Sequence, residues 1–403
     1  MGQHALFSYG FRPFFLLAAA WASFALPALL VGLALGAWPG DALPLARWHG
    51  HEMLFGFVAA TIAGFLLTAV PTWTGSRPIS GLPLAALAVL WFAGRAVMSP
   101  FAGLHGTPWL LLSAAFFPAL GAVLAVPLVR ARNYRNLQFL LILALLASAD
   151  ALFVSVQLGW LAPPTFDPLR FAVNLVMLLI AVVGGRIVPA FTLNALLKAG
   201  ERCVFTPRPW LDRASVTAVA AVVGADILRP DSALAGALAA LAAGLLAARA
   251  SRWHGHRALN MPIVWVLHAG FAWVCVALTL KAVWLLAHAP WAANWLHALT
   301  AGAFGTMILG VMTRVALGHT GRELVVARPI VASYVLVIAG AALRVVGPTA
   351  LPAHYVQVLA TAGALWSAAF VVFLAVYLPI LIAPRPDQRE RERASAAAPR
   401  KSV

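Results

Sequence analysis

Apolar runs of about 18 to 27 residues, separated by short clusters of Pro, Gly and Arg, follow one another along almost the whole chain. An α-helix needs a run of that length to cross a hydrocarbon core of ~30 Å, whereas a membrane β-strand needs only ~10 residues of alternating polarity. In lipid every backbone N–H and C=O must be satisfied within the protein, so runs of this kind fold as helices. The composition agrees. Of 403 residues, 63% are hydrophobic and 10% charged, with a mean hydropathy of +0.90, against ~45–50% apolar residues in a soluble domain. The expectation is an all-α polytopic membrane protein, a bundle of about 12 transmembrane helices forming one domain over 1–384. A basic tail over 385–403, with alternating Arg and Glu and then Ala, Pro and Ser, is expected to be disordered.

The spans are expected at 14–37, 51–73, 82–98, 108–129, 137–160, 169–190, 211–228, 232–249, 260–287, 294–316, 329–346 and 355–382. The first run is not followed by a small-residue cleavage site and a polar mature domain, so it reads as a retained span. Cys203 and Cys275 are far apart and define neither a disulfide framework nor a thiolate metal motif.

Charge sets the orientation. With the N-terminus cytoplasmic, that side holds Arg12, Arg77, Arg130, Arg132, Arg135, Lys198, Arg202, Arg208, Arg213, Arg249, Arg252, Arg257, Arg322, Arg328 and the basic tail. The opposite side holds only Arg47, Arg170 and Arg229. Both termini are therefore expected in the cytoplasm by the positive-inside rule. The net charge of +16 is spread over these loops without interleaved aromatics, so it points to the anionic headgroups of the lipid bilayer and not to nucleic acid.

Against this apolar background five histidines stand inside or at the mouths of spans: His49, His51, His268, His297 and His319. An ionisable residue in hydrocarbon costs ~2.5 kcal/mol or more, and histidine is both a metal ligand and a proton carrier. At ~1.5 Å per residue, His49, His51 and Glu52 open the second span at the outer face and His297 opens the tenth at the same face. Arg95, Lys281 and Arg344 fall near the outer ends of the third, ninth and eleventh spans. A second layer lies nearer the cytoplasm, with Arg186 and Arg314 ~25 Å down their helices, His319 just beyond Arg314, and His268 ~12 Å up from its inner end.

Imidazoles on facing helices suit haem iron, and buried cations suit its propionates. Copper also takes imidazole, but His49 and His51 point ~200° apart on a regular helix and cannot chelate one metal unless the turn at Gly50 unwinds. The economical haem pair is thus His51 with His297, leaving His49 at the interface. The small residues Gly56, Ala298 and Gly302 leave room for a planar macrocycle. In this reading Glu52 orients an imidazole or accepts a proton, and Arg95, Lys281 and Arg344 are propionate partners. Arg186 and Arg314 serve the inner layer. The string Arg47-Trp48-His49-Gly50-His51 recurs as Arg252-Trp253-His254-Gly255-His256 with poorly matching flanks, which reads as coincidence in a loop.

Several longer strings together resemble the NnrS family of bacterial inner-membrane proteins. They are Tyr9-Gly10-Phe11-Arg12-Pro13-Phe14-Phe15, Trp48 to Phe57 with Gly64 to Pro71, Gly184 to Thr192, Trp265 to Gly270, and His297 to Thr300 running on to Arg314 and Gly318-His319-Thr320-Gly321-Arg322. The resemblance covers nearly the whole chain. It implies a multi-pass protein of the bacterial inner membrane linked to denitrification and nitric oxide stress, containing haem, here taken as haem b, and copper. It assigns neither a reaction nor individual ligands.

Three function classes stay open. One is a haem protein, an oxidoreductase among them, that handles nitric oxide. Another is a transporter of an anion or metal, using the intramembrane arginines, the histidines and Asp150 in the fifth span. The third is a non-catalytic haem sensor or metal-handling protein. No docking motif for a quinol or a cytochrome is legible, so the electron donor is unknown.

Overall fold

The computed structural model describes residues 5–36, 43–99, 106–202 and 205–387. Cys203, His105 and most of the basic tail lie outside them. Among the described residues there is no β-strand, and twelve long helices run in chain order. They are α1 (Phe11–Leu35), α2 (Leu45–Thr74), α3 (Leu82–Val97), α4 (Thr107–Arg130), α5 (Gln138–Gln157), α6 (Pro168–Lys198), α7 (Pro209–Leu228), α8 (Ala233–Ala250), α9 (Pro262–Ala287), α10 (within Pro290–His319), α11 (Arg328–Ala350) and α12 (Tyr355–Leu381). Ten are long and apolar enough to cross a membrane; α3 is apolar but shorter, and α7 carries Asp212, Arg213 and Asp226. Each predicted span falls on one helix. The sixth helix runs eight residues past its predicted end, to Lys198, and α2 starts six residues earlier than predicted, so that His49 lies within a helix and not in the loop before it.

Arg12, at the start of α1, donates to the carbonyls of Leu381 and Ala383 at 2.7 Å each. The beginning of the first helix and the end of the last therefore share one end of the bundle. This contact also satisfies carbonyls at a helix C-terminus that have no partner within the helix.

The helices α2 and α10 are the most deeply buried of the ten, and both are interrupted in the same way. In α2 regular helix over Leu45–His51 gives way to a π-helical stretch over Glu52–Val58 and then resumes. In α10 the segment Trp295–His297 is followed by a π-helical stretch over Ala298–Phe304. π-helical insertions are rare and cluster at functional sites. Each begins directly after a histidine, His51 or His297, and each contains a glycine, Gly56 or Gly302.

The parallel extends beyond these segments. His51 and His297, Gly56 and Gly302, Ile62 and Ile308, Gly64 and Gly310, Gly75 and Gly321, Pro83 and Pro329, and Gly94 and Gly340 are all separated by the same 246 residues. So are the first residues of α3 and α11. Gly75 and Gly321 both end their helices at positive φ, 67° and 69°, where a side chain would be strained. Gly94 and Gly340 both lie against the backbone of the following long helix, α4 or α12. The helix pairs α2–α3 and α10–α11 therefore follow one repeated pattern. Six helices, α4–α9, lie between them. The Arg252–His256 echo has no part in this repeat. It forms two short 3-10 turns joined at His254 (φ 54°), whereas Arg47–His51 is α-helical.

Candidate functional site

The outer polar layer divides into three neighbourhoods. On one side of α2 the ring of His51 stacks on Phe153 of α5, with centroids 5.0 Å apart. Its Nδ1 lies 3.0 Å from Glu52 Oε1 and its Nε2 lies 2.8 Å from Asp150 Oδ1. Arg95 of α3 donates to the same Glu52 oxygen at 2.6 Å. Ser113 of α4 lies 3.4 Å from Arg95 and 3.3 Å from both oxygens of Asp150. All five side chains are at most 2% exposed. Two carboxylates, one guanidinium and one imidazole balance in charge when the imidazole donates from both nitrogens. The cluster has little spare hydrogen-bonding capacity apart from Glu52 Oε2 and Arg95 Nε, which have no partner among the described residues.

His49 is two residues earlier on regular helix, so it points away from this cluster. It lies instead within electrostatic reach of α10 and α11. His49, His297 and Arg344 act on one another electrostatically. His49 Nδ1 is buried without a hydrogen-bond partner among the described residues. The guanidinium of Arg344 donates to the amide oxygen of Asn294 at 3.1 Å, and Asn294 is itself fixed to the Val345 carbonyl at 3.1 Å. No described carboxylate faces Arg344.

The third neighbourhood belongs to Lys281. Its Nζ is bound to Asp226 Oδ2 of α7, which also accepts from Asn174 of α6 at 2.7 Å. Lys281 lies 4.7 Å and Arg170 5.9 Å from the centroid of the Trp295 ring, a cation–π arrangement two residues before His297.

These contacts redraw the predicted site. His51 and Glu52 are joined to Arg95, as three of the expected residues should be, but both ring nitrogens of His51 are engaged by carboxylates. The imidazole that accompanies His297 is His49. Lys281 and Arg95 each hold a carboxylate of the protein, which leaves Arg344 as the outer cation with no anion. The expectation of space for a planar ring at Gly56 and Gly302 is corrected. A Cβ on Gly56 would collide with the indole of Trp21, and one on Gly302 with the indole of Trp273. These glycines admit tryptophans from α1 and α9. Further indoles, of Trp91 and Trp366, donate to the carbonyls of Gly56 and Ala301 at 3.1 Å each. Side-chain insertion of this kind is a known cause of helix distortion.

The inner layer holds no single cluster. His268 Nε2 lies 2.8 Å from the hydroxyl of Thr192, which donates to the Val188 carbonyl at 2.8 Å. Its ring packs near Trp253. His319 packs instead against Tyr9 and Phe11, with centroids 6.3 and 5.7 Å away. Arg314 lies over the ring of Phe191, 3.9 Å from its centroid. Arg186 is within electrostatic reach of Arg135 and Arg249. Arg249, read from the sequence as a loop residue, is a clamp: it binds Asp212 at 2.6 Å and the carbonyls of Ala181 and Gly185 at 2.9 and 3.3 Å. Among the described residues no three His, Cys, Asp or Glu side chains form a group able to hold a metal ion.

Comparison with known proteins is consistent with this architecture. The family model described as NnrS protein matches residues 5–385. No curated protein matches the chain at a significant level.

Proposed function

The chain belongs to the NnrS family, and from that premise we propose that it is a haem protein of the bacterial inner membrane that handles nitric oxide, with both termini in the cytoplasm. The observation that carries this reading is that His49 and His297 lie within electrostatic reach of each other and of Arg344. A haem asks its protein for imidazoles on facing helices and for cations or donors near its propionates. His49 on α2 and His297 on α10 are candidates for such imidazoles, and the buried His49 Nδ1 has no hydrogen-bond partner among the described residues. Arg344 is the outer cation without an anion. A site built from two imidazoles meets the axial demand of haem b, whereas a closed copper site asks for a third ligand, so haem is favoured over copper as the resident group.

A haem bound there would supply binding of nitric oxide and exchange of one electron with a donor. The residues of the chain surround that chemistry. Arg344 and Asn294 hold one edge of the site. The His51–Glu52–Asp150–Ser113–Arg95 cluster, which begins two residues after His49 on the other side of α2, provides groups that exchange protons among themselves without contact with lipid. Trp295, flanked by Lys281 and Arg170, closes the outer end of α10.

The visible spectrum of the purified protein tests this reading. A Soret band with α and β bands on reduction is expected, and His49→Ala and His297→Ala should each lower haem content or change the coordination seen in the spectrum. Consumption of nitric oxide with a supplied reductant then separates an oxidoreductase from a sensor. A colourless protein that moves an anion or a metal into liposomes would sink the proposal.

A further inference from the structure

About halfway along α2 and α10 these two helices and α6 leave a half-open cavity of about 80 Å³. The repeat itself generates much of the lining. Thr61, Ile62 and Phe65 on α2 line it opposite Met307, Ile308 and Val311 on α10, and these are the same three positions of the two copies. Gly184 of α6 completes the wall. At ~1.5 Å per residue the cavity lies ~16 Å below the level of His51 and His297, so it is near the middle of the membrane.

The lining is apolar apart from one hydroxyl, and that hydroxyl is already used: Thr61 donates to the Phe57 carbonyl at 3.1 Å. A trapped water needs two to four polar partners, so water is disfavoured here. The volume exceeds the roughly 30 Å³ share of one water and is well below the roughly 150 Å³ of a cavity that takes benzene. Phe65, Leu179, Val183 and Ile187 are only half-buried, so the cavity has an apolar rim. Nonpolar gases dissolve preferentially in such surroundings.

We propose that this cavity is a binding site for one small nonpolar molecule of diatomic size, held between the two copies of the repeat and α6. That nitric oxide is its natural occupant rests on the function proposed above; the binding of a nonpolar gas does not. Xenon is the probe. In crystals of the full chain under xenon pressure, a xenon peak is expected between Ile62, Ile308 and Gly184. Ile308→Phe, which fills the space, should remove that peak. If Ile308→Phe does not fold, Val311→Leu, one methylene larger, should weaken the peak and serve the same purpose. Ordered water or a lipid acyl chain in the cavity, or no xenon peak in the wild-type protein, would overturn the proposal. The two readings fail separately: a colourless protein that still takes up xenon loses the haem reading alone, and a haem protein without xenon loses the cavity alone.

Discussion

Removing the guanidinium of Arg95 should destabilise the protein severely, and the geometry says by how much. Arg95 Nη1 is 2.6 Å from Glu52 Oε1, and neither side chain is more than 2% exposed. In Arg95→Leu the carboxylate of Glu52 stays in place with His51 as its single partner, because its other oxygen already lacks one. At an effective dielectric near 20, two unit charges ~4 Å apart attract by about 4 kcal/mol. Breaking a buried pair by deleting one partner costs about 3–5 kcal/mol, mostly from the charge left behind. A loss of about 3–5 kcal/mol is therefore expected for Arg95→Leu, read from unfolding of the detergent-solubilised protein by titration with a denaturing detergent. The cause can be isolated by neutralising the stranded group. Arg95→Leu combined with Glu52→Gln should recover at least about 2 kcal/mol, since replacing both charges is far cheaper than removing one. A single variant within about 1 kcal/mol of wild type, or a double variant no better than the single, would show that the pair is hydrated and the cluster is not closed.

Further expectations follow from the same contacts. Lys281→Met strands Asp226 and should lower stability by about 3–5 kcal/mol without moving the haem spectrum, whereas Arg344→Gln should move the spectrum or the redox potential with a smaller loss of stability; the opposite pattern would return the propionate role to Lys281. Arg314→Gln should keep haem but lose protection of cells against nitric oxide, with a stability loss of about 1–2 kcal/mol from its contact with Phe191, and wild-type behaviour in both assays would remove either role for this arginine. Reporter fusions near Ser99 and at the C-terminal tail should report opposite sides of the membrane; the same side for both would break the twelve-span arrangement.

Hydrophobic length placed every helix, because the lipid core imposes one physical demand on all of them. Depth counting grouped the outer residues into one layer, and the contacts divide them among three neighbourhoods. It could not say which histidine faced which helix, since that depends on how α2 is rotated, and rotation is set by neighbours. His51 turns to Asp150, a carboxylate on α5 that the sequence alone associates only with transport. The signal was present in the helical offset of about 200° between His49 and His51, which required one of the two to face away from His297.

The repeat was hidden for a different reason. A lipid-facing or packed position needs only to be apolar, so two copies of one unit can exchange almost every Leu, Val and Ala and keep the same fold. Identity survives where something other than hydrophobicity is demanded. Gly94 and Gly340 remain because a helix backbone presses on them, Gly56 and Gly302 because an indole does, and Gly75 and Gly321 because their φ is positive. His51 and His297 survive beside the π-helical stretches, yet their environments now differ: one is held between two carboxylates, the other stands by Arg344 and His49. The residue after His51 is Glu52, and the one after His297 is Ala298. With Arg95, whose counterpart is Ala341, and Asp150 of α5, that difference gives one copy a buried ion-pair cluster and leaves the other without a neighbouring carboxylate that would compete for its imidazole. On this argument Ala298→Glu should draw His297 or Arg344 into a new ion pair and reduce haem content, while the same change at Ala303, deeper in the π-helical stretch, should cost stability without that selectivity. Unchanged haem content in a folded Ala298→Glu protein would mean that the imidazole of His297 is not the one that the site depends on.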